Sequence, residues 1–220
     1  MTVRAGDRLQ TAAASALGRV DAARAVRRPD RVVSAHPRAL RPLVRSLGAD
    51  CHSVLDVGTG LMSSLELVGC PVKIGLDAHR PYLEHRRVRG AVPLNASATE
   101  LDRLFVPGAV DLVTLIDVLE HFTPDEAREV LRQAESVARR RVLLFTPRGD
   151  FPQDGFDAFG LGGEELQRHR SAWEPAQLAA LGYRVIVLTG YHDEGNASFV
   201  EAFGAGAPPV DALLAYKERP

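Results

Sequence analysis

Cysteine, lysine and long apolar runs are all scarce in this 220-residue chain, and each scarcity removes a class of protein. Cys51 and Cys70 are the only cysteines, too few for a disulfide framework in a chain of this length, so both are read as reduced, buried thiols. No apolar run approaches the ~20 residues of a membrane span, and the first residues lack the basic-then-apolar layout of a secretory signal. A cytoplasmic location is therefore expected. Residues 1–30 are rich in Ala and Arg, as transit peptides are, but Asp7, Asp21 and Asp30 weigh against that reading. An amphipathic helical extension fits them better. An excess of one charge is missing as well: 27 Lys+Arg face 28 Asp+Glu, a formal net charge of −1. Such a balance exerts no global pull on nucleic acid or an anionic membrane. Lys73 and Lys217 are the only lysines, the arginine-for-lysine usage of a GC-rich bacterial genome, which carries no chemical information.

What is present looks globular. With 45% hydrophobic and 25% charged residues, the chain can bury one substantial core. Residues 1–35 are read as an N-terminal helical extension and 36–220 as a single α/β domain. From Val54 onward short apolar runs alternate with helix-like segments, the signature of βαβ units around a parallel sheet. The strands expected are Ser53–Val57, Val72–Leu76, a weaker Gly90–Leu94, Val110–Ile116, Arg141–Phe145, Arg184–Thr189 and Ala212–Tyr216. Their Val, Leu and Ile content without strict polar alternation suits strands covered on both faces. Helices are expected over 36–47, Met62–Val68, Arg80–Arg87 and Pro124–Arg139. The last has Thr123 as its cap, Pro124 at its first position, Asp125 and Glu126 against the positive end of its dipole, and Arg139 to Arg141 at the other end.

The first strand runs into a glycine turn, Asp56-Val57-Gly58-Thr59-Gly60. Glycines let backbone approach a ligand closely, and a following helix would add oriented N–H groups. Nucleotide-binding proteins of several kinds share such a turn, and here Ser63 replaces the third glycine of the dinucleotide pattern. Asp56 discriminates among them. At the carboxyl end of a strand its charge would repel a pyrophosphate and favour a cationic group, such as the ammonium of a methionine moiety. Asp77, closing the second strand, is placed to accept hydrogen bonds from the ribose hydroxyls of an adenine nucleoside.

The fourth strand continues into Asp117-Val118-Leu119-Glu120-His121. With that segment the chain resembles the class I S-adenosylmethionine-dependent methyltransferases, in the broad group that includes small-molecule and ubiquinone-type enzymes. The resemblance covers about residues 36–217. It implies a Rossmann-like α/β fold: a mostly parallel, seven-stranded sheet with helices on both faces and an antiparallel C-terminal hairpin. It implies S-adenosylmethionine as cofactor and S-adenosylhomocysteine as product. Asp56, Gly58, Thr59 and Gly60 would hold the methionine part, Asp77 the ribose, and Ala78 would lie against adenine. Asn95 and Ala96 would meet the adenine edge, where the family commonly has Asp-Ala, and Asp117 and Val118 would line the pocket.

The acceptor end is read from the long stretch Thr146–Trp173, which shows little periodicity yet carries three phenylalanines and a tryptophan. Connections longer than ~12–15 residues are more often functional than plain links, and this one is read as a wall or lid over the acceptor. It loosely resembles methyltransferases of bacterial polysaccharide and natural-product pathways. Arg148, Phe156 and Trp173 are the candidate substrate contacts, and His169 and His121 the candidate bases, each weighed against a purely bracing role. Histidines and cysteines show no zinc-like spacing, and Asp150, Asp154 and Asp157 are read as solvated, so no metal is expected. The function implied is methyl transfer to oxygen or nitrogen of a small-molecule or saccharide-type acceptor. A homodimer is left open, and nucleic acid and membrane are not expected partners. A nicotinamide-dependent oxidoreductase and a non-catalytic methyltransferase-like binding protein remain as alternatives.

Overall fold

The computed structural model describes residues 16, 18–27, 32–86 and 88–219. The first part of the expected extension, residues 1–15, lies outside the described residues, as do 17 and 28–31; residues 18–27 form helix α1. Among the described residues no helix is long and apolar enough to cross a membrane.

Eight strands form one sheet: β1 Val32–Ala35, β2 Ser53–Val57, β3 Val72–Asp77, β4 Ala91–Asn95, β5 Val110–Ile116, β6 Ala138–Pro147, β7 Arg184–His192 and β8 Val210–Glu218. Their order is β1-β7-β8-β6-β5-β2-β3-β4. Every pairing is parallel except that β8 slots antiparallel between β6 and β7, as the expected hairpin requires. From β2 the sheet grows outward through β3 on one side and β5 on the other. This reversal opens a crevice beyond the carboxyl ends of those strands, where open α/β sheets bind their ligands.

The strand count is eight rather than the expected seven. The additional strand, β1, is four residues long and pairs along the sheet edge with β7. Val33 and Ala35 turn inward while Val32 and Ser34 face out, a pattern too short to stand out from its Arg- and Ala-rich surroundings.

Alternation along the strands builds two cores. Leu55, Val57, Val113, Leu115 and Leu144 pack on one face beneath helix α5, Pro124–Val137. Val54, Leu112, Leu143 and Phe145 pack on the other with helix α2, Leu40–Leu47, and with Ala22 and Ala25 of α1. Helix α5 begins with a full capping box between Thr123 and Glu126. It ends before the arginines expected to close it, because Ala138 turns extended and Arg139 to Arg141 run into β6.

The helix expected over Met62–Val68 is one 3-10 turn, Ser64–Glu66. Met62 sits in the left-handed region at φ 58°, which breaks a helical run, yet Met62, Leu65 and Val68 are still buried through their i, i+3 spacing. Of three further helices, α3 Arg80–His85 borders the crevice through Tyr82, α4 Leu101–Leu104 packs on α5, and α6 Pro175–Ala180 packs on β7. A last one, α7 Ala197–Phe203, lies between β7 and β8.

Candidate active site

The turn after β2 has an anatomy the bare glycine pattern does not disclose. Gly58 and Gly60 adopt φ of 65° and 51°, and a Cβ on Gly58 would stand 2.5 Å from the Val118 side chain. Glycine is therefore required both by conformation and by the approach of β5's end. Beneath the turn Asp56 is buried, and three hydroxyls donate to its carboxylate: Thr59 (2.6 Å), Thr114 (2.6 Å) and Ser64. Burial pushes its pKa up against those bonds. Asp56 thus knits β2, β5 and the turn together, and it does not line the cleft.

Asp77 does line it. One carboxylate oxygen accepts the Gly60 N–H and the other the His79 N–H, both at 2.7 Å, so the turn after β2 is tied to the end of β3. Each oxygen retains a further acceptor site. Burial, more than any neighbour, raises the pKa of this carboxyl. Asn95 donates from its side-chain amide to the Asp77 and Ala78 carbonyls at 2.9 and 3.0 Å, shaping the strand end without reaching the cleft.

The cleft has two connected lobes. The smaller, about 130 Å³, lies between Ala78 and Tyr82 on one side and Val118 and Phe122 on the other, with Ser97 and Ala98 at its end. The larger, about 310 Å³, extends from the glycine turn across Asp117, Glu120 and His121 to Phe151, Gln153, Phe156 and His169, with His192, Asn196 and Ser198 beyond. Gly58, Asp77, Asp117, His121 and Gln167 border both. Three carboxylates, Asp77, Asp117 and Glu120, face this space, and none of the residues lining either lobe is a lysine or arginine.

The turn after β5 carries the most polar corner. Asp117 is held at φ 53° by the bond from its N–H to the Phe145 carbonyl, 2.9 Å, a conformation Asp tolerates better than most residues. Its side chain opens to the cleft, yet the surrounding protein and then the Glu120 charge raise its pKa. Glu120 is buried, accepts from the Thr146 hydroxyl at 2.9 Å, and is pushed by burial up to about 7.

The Thr146–Trp173 segment closes this corner through backbone bonds. Arg170 and Ser171 N–H groups donate to the Glu120 carbonyl at 2.7 and 3.1 Å, and the Ser171 hydroxyl donates to Leu119 O at 3.2 Å. These bonds present His169 opposite His121, with ring centroids 5.0 Å apart. His169 Nδ1 lies 2.6 Å from the Phe151 carbonyl and His121 Nδ1 lies 3.3 Å from the Arg168 carbonyl, with the Asp117 carbonyl also nearby. Burial depresses both imidazoles, His169 to about 4. Glu120, His121 and His169 bring ligand atoms within 4.8 Å of one another. Histidines scattered in the sequence are in this instance gathered, whereas Asp154 pairs with Arg168 at 2.8 Å and Asp157 accepts N–H bonds from Phe159, Leu161 and Gly163 within its own loop.

Of the residues singled out from sequence, Gly58, Thr59, Gly60, Asp77, Ala78, Asp117, Val118, His121, Phe156 and His169 line the cleft. Asn95 and Ala96 stand behind its wall, their neighbours Ser97 and Ala98 reaching it instead. Arg148 is outside, paired with Glu174 and Asp211 at 3.0 and 3.1 Å. Trp173 is buried in the core, its indole N–H donating to Ser171 at 3.0 Å. Gln153, His192, Asn196 and Ser198 were not foreseen. His192 is buried with Nε2 lacking a hydrogen-bond partner among the described residues, and its position in β7 gave no pattern that marks a site.

The sheet order, the crevice at its reversal and the glycine turn define the fold as that of the class I S-adenosylmethionine-dependent methyltransferases. Similarity of fold to particular proteins agrees. The chain is similar to an S-adenosylmethionine-dependent methyltransferase from Archaeoglobus fulgidus, at 17% identity over 83% of this chain and 95% of that one, TM-score 0.52. It is similar to the YcgJ protein of Bacillus subtilis, at 15% identity over 84% and 99%, TM-score 0.55. A third is the plantazolicin methyltransferase BamL, solved with a desmethyl analogue and S-adenosylhomocysteine, at 12% identity over 77% of each chain, TM-score 0.50. Comparison with family models and with curated protein sequences finds no match.

Proposed function

We propose that the protein is an S-adenosylmethionine-dependent methyltransferase acting on oxygen or nitrogen of a small-molecule or saccharide-type acceptor. The observation that carries this reading is the charge of the cleft. Asp77, Asp117 and Glu120 line it with no lysine or arginine to offset them. A dinucleotide's pyrophosphate would meet repulsion there, whereas a cofactor bearing a sulfonium and an ammonium is attracted. The same charge disfavours a polyanionic acceptor such as nucleic acid.

The residues present fit such a cofactor. The smaller lobe suits a flat base between Ala78 and Val118. Asp77 keeps acceptor capacity for vicinal ribose hydroxyls, and the turn from Gly58 to Gly60 offers open backbone to the amino-acid portion. When bound, the cofactor supplies an activated methyl group. Proximity then provides much of the acceleration, which requires a rigid second lobe. Phe151 and Phe156 wall that lobe on the Thr146–Trp173 side, and His192 and Asn196 close it from β7 and α7's cap. BamL, similar in fold, was solved with an analogue of a natural-product acceptor, which supports an acceptor of comparable class here.

Calorimetry with S-adenosylhomocysteine and NADH, side by side, tests the reading. Binding of the former alone is expected, and Asp77→Ala should weaken it roughly ten- to hundredfold, the ~1.5–3 kcal/mol of charge-assisted hydrogen bonds. Preference for NADH, or unchanged affinity in a folded Asp77→Ala protein, would overturn it.

A further inference from the structure

We propose that Glu120, His121 and His169 form a binding site for a divalent first-row transition-metal ion, such as Mn²⁺, Co²⁺ or Zn²⁺, at the junction of the two lobes. One carboxylate and two imidazoles bring donor atoms within 4.8 Å of one another. Two side chains from one turn and a third from a loop many residues away converge on one point, and the backbone holds them there. The Arg170 and Ser171 N–H groups on the Glu120 carbonyl flank the corner on the loop side, and the Phe151 carbonyl fixes the His169 ring.

A carbonyl can only accept, so each Nδ1 facing one carries the ring proton. In a neutral ring that leaves Nε2 as a bare lone pair. Histidines that bind metals are oriented by this kind of outer hydrogen bond. Glu120 is oriented likewise by the Thr146 hydroxyl and by backbone N–H groups of Val118 and of Glu120 itself, and a carboxylate's two oxygens have lone pairs beyond those bonds. The surroundings agree in charge: Asp77 and Asp117 border the same space and no lysine or arginine among the described residues lines it, so a divalent cation would relieve the mutual repulsion of these acids. Beyond the cluster, His192 borders the same lobe, and its buried Nε2 has no hydrogen-bond partner among the described residues.

The donor set selects the metal. Two nitrogens with one carboxylate suit Zn²⁺, Co²⁺, Fe²⁺ or Mn²⁺ better than Mg²⁺ or Ca²⁺, which prefer oxygen throughout. Three protein ligands leave coordination positions open. On the reading of this cleft as a methyl-transfer site, those positions would take an oxygen of the acceptor, which narrows the acceptor atom from oxygen or nitrogen to oxygen.

The test uses the full chain stripped with a chelator. Titration with Co²⁺, followed by visible absorption, should give one-to-one binding with d–d bands, and Mg²⁺ should compete poorly. Glu120→Gln and His169→Ala should each weaken Co²⁺ binding at least tenfold while circular dichroism stays native. In the unaltered protein Mn²⁺ should selectively broaden the ring resonances of His121 and His169 and spare the exposed His36 and His52, a readout that holds even where a variant fails to fold. Absence of Co²⁺ binding, equal binding in both folded variants, or broadening confined to His36 and His52 would each overturn the proposal. S-adenosylhomocysteine affinity measured on the same samples separates the two readings: loss of the metal result alone leaves the methyltransferase assignment intact, and metal binding without S-adenosylhomocysteine binding removes that assignment instead.

Discussion

Acids at the two ends of the parallel strands live in opposite surroundings. At the amino ends of β5 and β6, Asp111 accepts the His52 N–H at 2.8 Å and an Arg139 guanidinium at 2.5 Å. Arg141 there joins Asp50 and Glu218 at 3.0 and 2.8 Å and donates to the Leu47 carbonyl. At the carboxyl ends, Asp56, Asp77, Asp117 and Glu120 have hydroxyls and backbone N–H groups for company but no salt bridge to a basic side chain among the ion pairs of the described residues. One end of the sheet pairs its acids with arginines, and the other holds them unpaired at raised pKa. Unpaired acids of raised pKa gathered at a cleft are a feature of functional sites, because folding gains nothing from keeping them.

The paired end depends most on Arg141. Its side chain is only 10% exposed, and replacing it with Met takes the donor from the Leu47 carbonyl and from Glu218, while Asp50 keeps Arg140 at 3.0 Å. Removing one partner of a fully buried pair costs about 3–5 kcal/mol. Asp50 and Glu218 are roughly half exposed and can rehydrate, so a loss of about 2–3 kcal/mol is expected by urea denaturation. S-adenosylhomocysteine affinity of the folded fraction should not move. A matching loss of affinity would mean that the two ends of the sheet are not independent.

How far the sequence announces this division differs for the two ends. The glycine turn, Asp77 and the Asp117 to His121 segment are contiguous motifs whose spacing discloses their place at strand ends. The places of Asn95 and Trp173 are not legible, because each depends on a neighbour brought close only by folding: Asn95 on the Asp77 and Ala78 carbonyls, Trp173 on Ser171 and the core. Asp56 was legible as important, but its three hydroxyl donors include Thr114 from β5, a strand pairing that periodicity does not specify. His192 and α7 were hidden for a similar reason, since glycine- and proline-rich sequence between two strands signals a loop and gives no hint of which cleft the loop will border. The edge strand β1 failed on length, four residues offering only two inward positions.

The pH dependence of stability should carry opposite signs at the two ends. Burial opposes ionisation of Asp111, but the bonds from His52 and Arg139 outweigh it and hold its pKa below the ordinary 3.8. A depressed carboxyl contributes stability that is present above the unfolded value and lost as pH falls through the folded one. Burial raises Asp77, so the native state holds that proton more tightly and its contribution declines as pH climbs from the unfolded value through the folded one. Asp111→Asn is therefore expected to flatten the acid limb of the urea midpoint below about pH 4, and Asp77→Asn to lift the midpoint above it. Parallel changes in both variants would contradict the division of the sheet into a neutralised and a charged end.

The smallest effect is expected at Arg148, the arginine the sequence offered as an anion contact for the substrate. It follows the carboxyl end of β6 directly, yet it belongs with the neutralised residues: its guanidinium bonds Glu174 at 3.0 Å and Asp211 at 3.1 Å, its side chain is 42% exposed, and it borders neither lobe of the cleft. Exposed pairs of this kind contribute about 0–1 kcal/mol, since water screens them and both side chains lose freedom in making them. Asp211 retains its bond from the Gly190 N–H at 2.8 Å, and the Arg148 backbone bond to the Asp211 carbonyl at 3.0 Å is independent of the side chain, so the loop keeps its anchor. Arg148→Ala should accordingly shift the urea midpoint by less than about 1 kcal/mol and leave both S-adenosylhomocysteine affinity and methyl transfer unchanged. Phe156→Ala, on the same segment but inside the larger lobe, should by contrast impair turnover while sparing cofactor affinity. If Arg148→Ala proves the more damaging to turnover, the acceptor must extend out of the cleft to the Glu174 and Asp211 side of the molecule, and the charge boundary drawn between the two ends of the sheet would have to move past β6.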